Sequence, residues 1–158
     1  MTHHEGHTHS DGEIATLNTL TATLIDSVNG YEDAASNTES ERLRTMFREC
    51  ANERNRVVEE LRTEIRGMGG NPEDEGSFMG KTHQRFLDLK AAVMGRDEQA
   101  IINEVERGED YLKEKFETAL SGDTLSGESR ALVERAFQSV REGHDRMSAL
   151  KHGMEASS

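Results

Sequence analysis

The sequence predicts an all-α chain, and three observations carry that expectation. Apolar residues recur at intervals of three and four over long stretches, the repeat of one helix face. A single Pro, 4% aromatics and scarce β-branched clusters leave little material for strands. Capping and stop signals separate the periodic stretches.

The first helix has Ser10 and Glu13 in the spacing of a capping box, then a stripe of Ile14, Leu17, Leu24, Val28, Tyr31 and Ala35. A second box, Thr38 with Glu41, predicts an immediate turn into a helix carrying Leu43, Met46, Phe47, Cys50, Val57, Leu61, Ile65 and Met68. Gly67, Gly69 and Gly70 before Pro72 stop it. Residues 71–77 read as an acidic loop, and a shorter helix is expected from about Phe78 to Met94. Asp97 is a natural N-cap for the next helix, with Ile101, Ile102, Val105, Leu112, Phe116 and Leu120 as its stripe. Ser121-Gly122-Asp123 breaks that helix, and the last one carries Leu132, Val133, Ala136, Phe137, Val140, Met147 and Leu150.

Short turns make sequential helices antiparallel neighbours, giving two hairpins. The 71–96 segment can carry the chain back along a bundle about 40 Å long. The expected architecture is a ferritin-like up-down-down-up four-helix bundle with an additional shorter crossover helix; a five-helix bundle is the alternative. Residues 1–12 are expected to be a disordered His-rich tail, 13–151 the single bundle domain and 152–158 a frayed tail.

Charge and composition exclude several classes. The formal net charge is −12, with 31 acidic against 19 basic residues, which repels phosphate backbones and anionic lipid. No apolar run approaches the roughly 20 residues that span a bilayer, and no secretory leader is visible, so a cytoplasmic setting is expected. One Cys allows no internal disulfide. Hydrophobic residues make up only 33%, enough for a core only when rationed onto helix stripes, as here.

Functional information lies where the stripes are broken. Glu109 falls on the buried line between Val105 and Leu112, and Glu106 stands one turn away from Ile102 and three residues before Glu109. Cys50, Glu53 and Arg54 interrupt the second helix, His144 lies between Val140 and Met147, Glu32 follows Tyr31, and His83 precedes Phe86 by three. In the ferritin-like arrangement Glu53 and Glu109 fall at one height, with His144 within about a turn of Glu106. Carboxylates and an imidazole in a bundle core are the ligands of a metal site, so Glu53, Glu106, Glu109 and His144, with Glu32 and His83 as outer candidates, could hold one or two divalent ions, iron or else Mn or Zn. The full di-iron signature needs two Glu-x-x-His pairs, and neither is present: position 56 is Arg, and Glu142-Gly-His144 has the wrong spacing. The competing reading pairs the same acids with Arg54, Arg107 and His144 in an ion network.

Gly30-Tyr31-x-x-Ala34-Ala35, Gly69-Gly70-x-Pro72-Glu73, His83 with Leu87-x-Leu89-Lys90, Glu104-x-Glu106-Arg107-Gly108-Glu109-Asp110 and His144-Asp145-Arg146 together resemble an uncharacterised bacterial family of ferritin-like four-helix bundles, a domain of unknown function. The resemblance covers residues 13 to 151. It implies a ferritin-like fold and a cytosolic, stress-related setting, with no activity and no catalytic residues to carry over.

His3, His4, His7 and His9 form a flexible, adventitious chelator in this reading. Cys50 on a core stripe is an inert thiol. Gly30, Gly108 and Gly143 stand inside helices at about 1 kcal/mol each relative to Ala, which close packing would explain. Two functions are therefore expected in competition: a metal-binding bundle, and a non-catalytic structural or interaction protein. In either case the chain is expected to form a homodimer, with a protein partner open and no nucleic acid or membrane.

Overall fold

The computed structural model describes residues 2–74 and 98–157, with side chains over 11–74 and 98–153. The expected crossover helix, Asp97 and His83 lie outside the described residues. Within them the chain is all-helical: α1 (Thr2–Asn37), α2 (Glu41–Gly67), α3 (Glu98–Ser121) and α4 (Gly127–Ser157). No described helix is long and apolar enough to cross a membrane.

Two of the expected starts differ in detail. The helical backbone of α1 begins at Thr2, so Ser10 and Glu13 lie inside it. Glu13 is buried and spends its carboxylate on the turn that leads into the last helix, accepting from Ser126 N at 2.8 Å and Ser126 Oγ at 3.1 Å. For α2 the cap is Ser40, whose backbone is extended and whose hydroxyl accepts the Leu43 N–H at 3.2 Å. Thr38 accepts from Ser40 N at 3.2 Å and donates to Glu98 at the start of α3 at 2.8 Å, while Glu41 pairs with Arg44. A Thr and a Ser two residues apart offer the backbone competing caps, and the one nearer the first helical turn takes it.

The α2 stop is a Schellman motif. Gly69 adopts φ +86°, its N–H reaches Arg66 O at 3.0 Å, and Gly70 N–H reaches Ile65 O at 2.9 Å. The following strand of chain lies against α1, with Glu73 N donating to Asn18 Oδ1 at 2.8 Å and Asn18 Nδ2 to Asn71 O at 3.0 Å.

Hydrogen bonds between helix ends give the directions. Thr38 at the end of α1 meets Glu98 at the start of α3, so these two run oppositely. Ser129 near the start of α4 donates to Glu64 near the end of α2 at 3.1 Å, so α2 and α4 run oppositely as well. Between the helices the apolar stripes form two clusters. One gathers Leu17, Leu20, Leu24, Val57, Leu61, Ile65, Leu112, Phe116, Val133, Ala136 and Val140. The other gathers Val28, Tyr31, Ala34, Ala35, Leu43, Phe47, Cys50, Ile101, Ile102, Val105 and Met147. On every helix the boundary falls at one level: between 24 and 28, 51 and 57, 105 and 112, and 140 and 147. That level is polar.

Candidate functional site

Every described helix contributes to the polar layer. α1 supplies Ser27 and Tyr31, α2 Arg54, α3 Glu109, and α4 Gly143. Arg54 crosses the bundle and grips Glu109 with two parallel bonds, Nη1 to Oε1 and Nη2 to Oε2, each 2.8 Å. Nη1 also donates to Ser27 Oγ at 2.6 Å, and the guanidinium carbon lies 5.7 Å from the centre of the Tyr31 ring. The Tyr31 hydroxyl donates to Glu109 Oε2. Arg54 and Glu109 are each 2% exposed, yet every charge in the layer has a partner.

Gly143 is the fourth wall. A Cβ built there would overlap the Arg54 guanidinium and stand 3.0 Å from Glu109 Oε2. The absence of a side chain is what lets α4 close over the ion pair. Gly108, also inside a helix, has nothing within 4 Å of its would-be Cβ, so the packing role expected for both belongs to Gly143 alone of the two.

Burial sets the protonation chemistry of the layer. Desolvation first, then the charge of Glu109, drives the Tyr31 phenol well above its ordinary pKa, keeping it a neutral donor. Burial is the largest influence on Arg54 and lowers its pKa, but Glu109 and the groups around it together outweigh that and hold it cationic. Burial likewise pushes the Cys50 thiol up, in keeping with an inert core sulfur.

The acids named from sequence separate into different environments. Glu109 is inside the layer. Glu53 turns away from it, bonding Arg56 Nη2 at 2.6 Å and Ser139 Oγ at 2.8 Å; the Arg56 bonds lead in lowering its pKa. Glu32 is exposed and joins neither group. Glu106 and His144 come together on the outer seam between α3 and α4, with Asp110 as a third member: one ligand atom from each lies within 4.8 Å of the others. His144 Nε2 is 2.6 Å from Asp110 Oδ1, His144 Nδ1 is 3.3 Å from Asp145 Oδ1, and Lys151 Nζ is 3.4 Å from Glu106 Oε1. Burial works against the charge of His144, but the bonds to Asp110 and Asp145 outweigh it and raise its pKa.

The apolar spacing absorbs Tyr31 into the stripe and leaves Asp110 off the line, so neither is expected as a site member. Arg54 is the ion partner that the competing reading gives these acids, and it is found on Glu109. A signal for Asp110 existed: it follows Glu106 by four, one turn along the same face.

The fold and the layer define a class, an all-helical bundle whose core is cut by a neutralised polar level. Residues 12–122 match the family described as a domain of unknown function (DUF2383), more than two thirds of the 158-residue chain, and the protein belongs to that family. The match holds Tyr31, Arg54, Glu106, Glu109 and Asp110; Gly143 and His144 lie beyond it. No curated protein matches the chain.

Proposed function

We propose that the protein is a non-catalytic bundle with ferritin-like up-down-down-up connectivity, acting by interaction with a protein partner. The opposed pairs α1 with α3 and α2 with α4 support the connectivity. The function rests on one observation: both oxygens of Glu109 are taken by Arg54, with Tyr31 and Ser27 completing the set. A core metal would have to displace a bidentate guanidinium from 2%-exposed surroundings and leave that cation without a partner. The polar layer therefore serves the architecture: it registers four helices against one another.

What remains for function is the outside, which carries most of the −12 charge. Between α2 and α4 lies an open groove of 730 Å³ lined by Glu59, Glu60, Glu64 and Glu128, with Arg56 and Arg135 and the small apolar floor of Ala131 and Leu132. An acidic rim over an apolar floor suits a basic amphipathic segment of a partner protein.

The test compares two full-length variants with the parent for cross-linked complexes in extracts of the source cell. The apolar-layer variant Arg54→Met with Glu109→Leu should keep the complexes. The groove variant Glu59→Lys, Glu60→Lys, Glu128→Lys should lose them while its helicity stays intact. Loss of the complexes in the folded layer variant, or their survival in the groove variant, overturns the reading.

A further inference from the structure

The seam of α3 and α4 carries a set of groups that the polar layer does not use. Glu106 and Asp110 sit one turn apart on α3, and His144 of α4 reaches between them. We propose that these three side chains bind one divalent transition-metal ion of the Zn²⁺, Co²⁺ or Fe²⁺ kind. The site goes beyond the interaction reading and needs none of the core acids.

Four features support it. The donor set mixes one imidazole nitrogen with two carboxylates, which suits borderline first-row ions better than Mg²⁺ or Ca²⁺, whose preferred ligands are all oxygen. The three ligand atoms come from two helices and lie within 4.8 Å of one another. Around a tetrahedral ion with bonds of about 2.1 Å such atoms stand about 3.4 Å apart, so closing the site asks for side-chain movement of about 1.5 Å and none of the backbone.

The third feature is the orientation of the histidine. Nδ1 faces Asp145 at 3.3 Å, while Nε2 faces Asp110 at 2.6 Å. A carboxylate behind one ring nitrogen is the arrangement found behind metal-bound histidines, and it holds the ring in place while Nε2 gives up to solvent the proton it shares with Asp110 and an ion takes that proton's place. The fourth is access: Glu106 and His144 side chains are 14% and 15% exposed, whereas Asp110 is 50% exposed, so an ion has an entry path and room for water ligands. The cations already facing the site are Lys151, 3.4 Å from Glu106, and Lys113, which acts on His144. Lys151 is the resident competitor; an incoming ion takes over its place beside Glu106, and Lys151 turns to solvent.

The test is a calorimetric titration with Zn²⁺, repeated with Co²⁺ for its visible absorption band. It uses the full chain carrying His3→Gln, His4→Gln, His7→Gln and His9→Gln, which removes the N-terminal imidazole cluster, together with His83→Gln and His152→Gln, so that His144 is the one imidazole left. One equivalent of each ion should bind, and excess Mg²⁺ should not displace it. His144→Gln and Asp110→Asn should each weaken binding about tenfold or more, and Asp145→Asn by about tenfold through the orientation of the ring. Lys151→Met should tighten it several-fold, a gain that cannot arise from misfolding. Absence of saturable binding in the parent of this series, or equal affinity in His144→Gln and Lys151→Met, overturns the proposal. Arg54 and Glu109 are untouched throughout, so the result is independent of the layer's role.

Discussion

Arg54 of α2 and Glu109 of α3 meet across the middle of the bundle as a two-bond ion pair, 2.8 Å on both arms and 2% exposed on both sides. The pair divides one apolar core into two clusters and ties together helices that share no short turn.

Removing one partner should therefore cost far more than removing both. Arg54→Ala or Glu109→Ala leaves a buried charge alone, at about 3–5 kcal/mol of folding stability. Arg54→Met with Glu109→Leu should recover most of that loss. Urea denaturation of the two single variants and the double variant measures the coupling. Additive losses would show that the charges are not stabilised by each other.

The raised pKa of Tyr31 predicts an alkaline limb in stability. Below the ordinary phenol value of about 10, folded and unfolded chains both keep the proton, and the Tyr31 contribution is fully present. As the pH rises from there toward the raised folded value, only the unfolded chain releases the proton, and stability falls. In a Tyr111→Phe background, phenolate absorbance should rise together with the loss of helical circular dichroism. Phenolate formation in the still-folded protein would contradict the burial argument.

Two helix glycines should respond oppositely to alanine. Gly143→Ala drives a methyl into the Arg54 guanidinium and should destabilise by about 1–3 kcal/mol despite better helix propensity. Gly108→Ala meets nothing within 4 Å and should stabilise by about 0.5–1 kcal/mol. Thermal melts of both variants decide it, and a shared sign would refute the Gly143 wall.

Cys50 should react with a thiol reagent only as the chain opens. Its side chain is buried and burial raises its pKa, so native protein offers neither access nor thiolate. The labelling rate should rise with urea along the unfolding curve. Rapid labelling in buffer would place the thiol outside the core.

Much of this was legible in the residues. The spacing of threes and fours located the described helices, and the glycines after Arg66 foretold the stop that becomes a Schellman turn. Glu109 was recognisable as an acid on an apolar line, and its buried position agrees. The height match between positions near 53 and 109 was also sound, but it selected Glu53 where Arg54 faces inward. Adjacent residues on a helix differ by about 100° in direction, so a phase error of one residue exchanges an acid for a base.

By itself the sequence determined the helical class, the stop of α2 and the presence of polar residues inside the stripes, because stop signals and periodicity are local properties. Only the tertiary structure decided what those residues do. It joined Arg54 to Glu109 across 55 positions and Tyr31 to Glu109 across 78, and brought His144 to Asp110 across 34. Those pairings depend on how four helices rotate about their axes. That rotation is set by burying both apolar clusters at once while leaving no charge between them unpaired.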